Sequence, residues 1–77
     1  MPKCCLYCRV DGASTESNRL AMNQQLTALR SLAGQLGFSI SAEMLQYESG
    51  LYANRQSIRT LIRDARHGAY DRVLVMN

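Results

Sequence analysis

The residues best suited to chemistry lie near the start of the chain, in the segment CLYCRVDGAS that begins at Cys5. Cys5 and Cys8 have C-x-x-C spacing, and Arg9 and Asp11 follow at once. Three kinds of site use such groups: a dithiol redox pair, a metal centre, and an anion site served by a guanidinium group. The elements that position these side chains decide among the three.

The cysteine spacing argues against redox and metal chemistry. CCLYCRV, residues 4–10, is an apolar run that ends in charge, which predicts a strand buried on both faces. Alternation along a strand sends Cys5 and Cys8 to opposite faces about 10 Å apart, beyond disulfide reach. The other conventional metal ligands are Cys4, the lone His67 and scattered carboxylates. We therefore predict buried, reduced thiols, with no metal and no cofactor.

Length and composition indicate one small globular domain. The chain has 77 residues, of which 47% are hydrophobic and 19% charged, so it has enough apolar residues for a core. It has no apolar run long enough to span a bilayer and no signal peptide, so we expect a cytoplasmic protein that does not bind membranes. The net charge is +3, and arginine outnumbers lysine eight to one. Arginine suits phosphate contact, although a bias in genome composition would give the same count.

A long helix is predicted after the DGAS turn. Apolar residues recur there at spacings of three and four, which is typical of an amphipathic helix. They are Leu20, Met22, Leu26, Leu29, Leu32, Ala33 and Leu36. Ser17 or Asn18 is the expected N-cap, and Gly37 stands where a left-handed residue ends a helix.

A strand, a second helix and a third strand follow. FSISAEMLQY alternates at its start, which places Phe38, Ile40 and Ala42 on one side of a strand. The loop ESGLYANR leads to a helix over 56–67 that Gly68 ends. The side chains that this helix is expected to bury are Ile58, Leu61, Ile62 and Ala65. DRVLVMN then gives the third apolar strand.

This order predicts a three-layer α/β fold with a mostly parallel sheet and right-handed connections. Ligands of open α/β sheets bind beyond the carboxyl ends of the strands. That edge would carry Arg9, Asp11 and the DGAS loop, the loop around Gly50, and Asn77. Because the chain finishes on a strand expected to be buried, we predict a partial domain and a natural protein that continues past Asn77.

YCRV, residues 7–10, resembles the opening of the catalytic domain of the serine recombinases, the resolvase and invertase family. In that family the first strand ends with tyrosine, any residue, arginine and valine, and the nucleophilic serine comes next. Gln25, just before Leu26, resembles the glutamine of the family's first helix. GLYANR resembles its glycine-containing loop, whose arginine falls on Arg55. DARHGAYDRVLV, residues 64–75, resembles the helix, glycine and strand that follow.

The resemblance implies a resolvase-like, flavodoxin-like topology, with residues 1–77 as the N-terminal part of a catalytic domain. It also implies a reaction in which a serine hydroxyl attacks a DNA phosphodiester and leaves a 5′-phosphoserine link. Arginines stabilise the developing charge without a metal or cofactor. Arg9, Gln25 and Arg55 would occupy site positions, and we expect Arg9, Asp11 and Arg55 to face one pocket. DNA would be the partner, and the full-length form a homo-oligomer engaged in resolution, inversion or integration.

The position after YCRV departs from the family pattern, because Asp11 stands where the serine is expected. A carboxylate repels the phosphodiester and offsets the charge of Arg9. Ser14 or Thr15 would serve as an alternative nucleophile only after a three-residue slip, in a site where about 1 Å matters. The family's aspartate-arginine motif would start about where the chain ends. We therefore expect no DNA cleavage.

Two other functions stay open at this point. The first is a non-catalytic DNA-binding or protein-interaction module that retains the fold. The second, a nucleotide-binding domain, has less support because the first strand is followed by neither G-x-G-x-x-G nor a P-loop. The sequence encoded after Asn77 would separate a recombinase from a module, since the former predicts an aspartate-arginine motif there and the latter a stop codon.

Overall fold

The computed structural model describes the backbone of residues 1–48 and 55–76, and the side chains of residues 1–47 and 58–76. The elements in chain order are β1 (Lys3–Asp11), α1 (Glu16–Leu36), β2 (Ser39–Glu48), α2 (Arg55–Arg66) and β3 (Arg72–Val75). The strands form one sheet in the order β2-β1-β3, and both strand pairs are parallel. The predicted α/β fold is therefore confirmed, with β1 as the central strand.

The main core lies between β1 and α1. Every second side chain of β1 points to this face, because strand side chains alternate between the two faces of a sheet. The α1 side chains that meet them recur at every third or fourth position, on one side of the helix. The residues of this core are Cys4, Leu6, Cys8, Val10, Met22, Leu26, Leu29 and Ala33. The predicted apolar spacing of α1 is thus confirmed for Met22, Leu26, Leu29 and Ala33, whereas Leu20, Leu32 and Leu36 are exposed.

The opposite face of β1 carries the third layer. Cys5 is fully buried there, beside the hydroxyl of Tyr70. That hydroxyl donates a hydrogen bond to the carbonyl of Leu61 in α2. Because Cys5 faces away from the α1 core, these contacts place α2 on the other side of the sheet, as a three-layer fold requires.

The cysteines are buried thiols, as predicted. Cys8 lies in the α1 core and Cys5 on the opposite face, so the two thiols point away from each other. All three cysteines are free, and burial raises the pKa of each thiol. Among the described residues no group of His, Cys, Asp and Glu could hold a metal ion, and no helix is long and apolar enough to cross a membrane.

The start of α1 differs from the expected N-cap. Neither Ser17 nor Asn18 caps the helix: Thr15 does, and its hydroxyl accepts a hydrogen bond from the backbone N–H of Asn18 at 3.2 Å. All three residue types favour this position, so their side chains alone do not choose among them. The predicted end is confirmed, because Gly37 has a φ of 73° and closes α1.

A bulge in β2 corrects the predicted alternation. Cys4 pairs with Ile40 and Cys5 with Ala42, so Ser41 is an extra residue between the two pairs. Ile40 and Ala42 consequently lie on opposite faces of the sheet, not on one side as expected. Beyond the bulge, Glu43 accepts two hydrogen bonds from Arg30 of α1, at 2.8 and 2.9 Å. This pairing lowers the pKa of the Glu43 carboxyl.

The apolar side of α2 is less buried than its spacing predicts. Ile58 and Ile62 are 45% and 48% exposed, and Ala65 is exposed as well, while Leu61 is half-buried. The bounds of the helix and its end before Gly68 agree with the prediction. The third strand was expected to be buried, but its Val73 and Val75 are exposed. The partly buried positions among the described residues of α2 are Thr60, Leu61 and Asp64, so periodicity predicted the helix but not its buried side.

Candidate active site

The carboxyl edge of the sheet holds an ion pair at the end of β1. Arg9 and Asp11 are two residues apart in a strand, so their side chains fall on the same face. The Arg9 Nη2 and Asp11 Oδ1 atoms lie 3.1 Å apart. The side chains are 43% and 86% exposed, which leaves both charged groups open to solvent. The structure thus brings two of the predicted site residues together.

Gln25 holds the backbone of Arg9 in place. Its side-chain amide donates to the Arg9 carbonyl at 2.8 Å and accepts from the Arg9 N–H at 3.3 Å. One amide therefore satisfies both backbone groups of the residue that carries the guanidinium group. Gln25 is a positioning residue in this geometry, because it acts on the main chain of β1 from α1.

Removing the Gln25 amide should loosen the end of β1. We expect Gln25→Ala to lower the free energy of unfolding by about 1–2 kcal/mol, since two backbone groups lose their partner. The adjacent, exposed Gln24 offers a matched control, and Gln24→Ala should change stability by less than about 0.5 kcal/mol. Urea denaturation followed by circular dichroism measures both. Equal losses in the two variants would contradict the positioning role.

The loop after Asp11 is tied to the start of α1. Gly12 has a φ of 110°, a left-handed conformation that favours glycine. The Asn18 side chain donates to the Ala13 carbonyl at 2.7 Å, and its Nδ2 would lie only 2.9 Å from a Cβ at position 12. A larger residue in place of Gly12 would therefore disturb both the turn and this hydrogen bond.

Ser14, the predicted alternative nucleophile, lies in this loop against α1. Its hydroxyl accepts a hydrogen bond from Arg19 Nε at 3.2 Å, and its carbonyl lies 3.3 Å from the same nitrogen. Sequence reasoning did not single out Arg19, and only its place one turn into the helix hinted at a contact with the loop. The structure shows how Ser14 is held; its role as a nucleophile stays a prediction.

The remaining predicted groups belong to the neighbouring segments. Arg55 begins α2, but its side chain lies outside the described residues, as do the loop around Gly50 and Asn77. Glu48, which sequence reasoning missed, ends β2 and is the register partner of Asp11. The sequence contained a signal for Glu48, because it is an acidic residue directly before the turn residues that follow the second strand.

This edge is chemically suited to an anion. A half-exposed guanidinium group can present two N–H donors to a phosphate or a carboxylate, and in the structure the Arg9 group contacts the carboxylate of Asp11. An anion that binds Arg9 must therefore compete with Asp11. Arg9 and Asp11 supply the charges at the end of β1, and Gln25 fixes the backbone between them.

Comparison with known protein families identifies a match. A family model described as "Resolvase, N terminal domain" matches residues 4–77, nearly the whole chain. This match confirms the resemblance noted at YCRV. No curated protein and no solved structure matches the chain.

Proposed function

The chain belongs to the resolvase N-terminal domain family, which acts on DNA in site-specific recombination, and on that premise we propose a DNA-binding domain that does not cleave DNA. Residues 1–77 would be the N-terminal part of a resolvase-like catalytic domain. Its arginines would contact the phosphodiester backbone, while the position of the family's nucleophile holds a carboxylate.

The observation that supports this proposal is the 3.1 Å pair between Arg9 and Asp11. A carboxylate beside the guanidinium group neutralises charge that a phosphate would otherwise use. It also carries no hydroxyl to form a stable phosphoester, and attack by its oxygen would give an acyl phosphate that water hydrolyses. The geometry therefore favours reversible binding over covalent chemistry.

The roles within the proposed site follow from position. Arg9 would bind a phosphate oxygen, with Gln25 holding its backbone. Arg55, at the first turn of α2, would supply a second guanidinium group. Asp11 would weaken the contact and block cleavage, and Ser14 would stay with Arg19 as part of the loop. No step requires a metal or a small-molecule cofactor, because guanidinium groups supply the positive charge.

The cellular setting is part of the same proposal. The chain would act in the cytoplasm on DNA, and any longer form that the gene encodes would assemble as a homo-oligomer. A module that only interacts with other proteins is the alternative function, and it predicts no affinity for duplex DNA.

A covalent-capture experiment tests the proposal. The chain is incubated with a nicked duplex that traps cleavage products, and adducts are resolved by denaturing electrophoresis and mass spectrometry. We expect the unmodified chain to retain the duplex in a native gel and to form no adduct. Asp11→Ser supplies the hydroxyl at the family position and is the complementary variant.

Two outcomes would overturn the proposal. An adduct that maps to Ser14 and disappears in Ser14→Ala would identify a displaced nucleophile and an active enzyme. Failure to retain the duplex at low salt would remove DNA as the partner and favour the protein-interaction module. If the gene encodes residues after Asn77, the same assay is run on the longer polypeptide.

A further inference from the structure

The net positive charge of the chain comes from its second half. Residues 1–48 contain four basic and four acidic side chains and are neutral overall. Residues 55–77 contain five arginines and two aspartates, and residues 49–54 carry no charge. The whole net charge of +3 therefore belongs to α2 and the segment after it.

Four of these five arginines fall on one side of α2. Arg55, Arg59, Arg63 and Arg66 follow one another at spacings of four, four and three residues, which places all four positions within about 80° of the helix circumference. We call this set the arginine stripe. Arg59, Arg63 and Arg66 are exposed, and Arg55 enters the set by its helical position alone.

The three arginines of the stripe whose side chains the structure describes have fewer carboxylate contacts than Arg9 and Arg30. Arg9 and Arg30 each lie within 3.1 Å of a carboxylate oxygen. Arg63 has only a longer contact with Asp64, at 3.6 Å. For Arg59 and Arg66, no ion pair is formed with any described side chain. Three exposed guanidinium groups thus face one direction with little opposing charge.

The direction of α2 links the stripe to the candidate active site. Lys3, the first residue of β1, donates from Nζ to the carbonyl of Gly68 at 2.9 Å, so α2 ends at the amino edge of the sheet. A helix of 12 residues is about 18 Å long. Because α2 ends at the amino edge of the sheet, its first turn lies towards the carboxyl edge. The stripe starts near the ends of β1 and β2 and runs about 16 Å away from them.

We propose that the arginine stripe is a contact surface for the sugar-phosphate backbone of duplex DNA. The inference rests on the proposed function, since it takes DNA as the partner, and it adds where the duplex lies. Sixteen ångströms match about five base-pair steps of B-DNA. Arginine presents two parallel N–H groups to a phosphate, which favours this use over a generic basic surface. Such contacts position a duplex without reading its sequence.

An anionic membrane surface is the competing partner. A basic helix with an apolar side can lie on such a surface, and Ile58 and Ile62 are half-exposed beside the stripe. DNA fits better, because the stripe begins at the edge that holds Arg9 and consists only of arginine. Membrane-surface helices also bury their apolar side in lipid, whereas Leu61 is already half-buried within this protein.

The salt dependence of binding tests the stripe. The full chain and its variants are titrated into a fluorescent 20-base-pair duplex of arbitrary sequence across a range of salt concentrations. Each phosphate contact contributes about 0.9 to the slope of log K against log salt. We expect Arg59→Gln and Arg66→Gln to reduce the slope by about one each, and the double variant by about two. Arg30→Gln, which removes the same charge from the α1 layer, should leave the slope unchanged.

Three results would overturn the inference. The first is an equal change of slope in Arg30→Gln and the stripe variants, which would mean that net charge alone acts. The second is no binding of the duplex at low salt. The third is that the substitutions weaken binding to phosphatidylserine vesicles but not to the duplex. An adduct on Ser14 would instead refute the non-cleaving function and leave these slopes unaffected, so the two failures are distinguishable.

Discussion

Leu6→Ala is expected to remove most of the protein's thermodynamic stability. Leu6 is fully buried at the centre of β1, where it packs into the α1 core. Truncating a buried leucine costs about 3–4 kcal/mol, because contacts are lost and a cavity remains. A domain of this size has a free energy of unfolding of only roughly 5 kcal/mol. Urea denaturation followed by circular dichroism should show the midpoint moving to a much lower urea concentration.

Leu20 provides the matched control for this loss. It lies in α1 but is 61% exposed, so Leu20→Ala removes the same atoms from a solvated position. The expected change is below about 0.5 kcal/mol, and alanine is also the better helix former. If Leu20→Ala destabilised the protein as much as Leu6→Ala, the division between buried core and exposed helix face would be wrong.

Asp11→Asn is expected to tighten binding to duplex DNA about threefold. The substitution keeps the shape of the side chain, removes the charge that opposes a phosphate, and weakens the contact with Arg9 at 3.1 Å. An exposed ion pair contributes about 0.2–1 kcal/mol, and about 0.7 kcal/mol corresponds to a threefold change in Kd. Fluorescence anisotropy with a labelled duplex at fixed salt measures the difference.

Asp71→Asn separates this local effect from a change in net charge. Asp71 lies before β3, at the amino edge of the sheet, where its carboxylate accepts from the Lys3 N–H at 3.1 Å. An asparagine oxygen can keep that hydrogen bond while the net charge rises by the same amount. We expect little change in affinity, and an equal tightening in both variants would show that the Arg9 pair is not responsible.

The sequence was most informative where a local rule determines the structure. Strand alternation alone places Arg9 and Asp11 on one face and Cys5 and Cys8 on two. The predicted helix ends also rest on a local rule, since Gly37 and Gly68 adopt the left-handed conformation that helix ends favour. The resemblance at YCRV added the family, which the match over residues 4–77 then established.

What the sequence could not supply depends on contacts between distant segments. Gln25 and Arg9 are 16 residues apart in the chain. They pair because α1 packs on β1 in a position that brings the Gln25 amide to the Arg9 backbone. The exposure of Ile58 and Ile62 depends on what covers α2, which helical periodicity does not report. Thr15 caps α1 in place of Ser17 or Asn18, and residue type alone does not distinguish the three.

The extra residue at Ser41 has a consequence for how this protein can change through evolution. Side chains of β2 before Ser41 alternate between the two faces of the sheet in one order, and those after it alternate in the opposite order. This change places Glu43 on the face where Arg30 lies. A single-codon deletion of Ser41 would leave Ile40 and Ala42 adjacent and on opposite faces, as they are now, so the residues downstream in β2 would keep their faces. A deletion later in β2 would instead exchange the faces of the residues beyond it, so gene variants should tolerate the loss of a residue better at the bulge than in the rest of the strand.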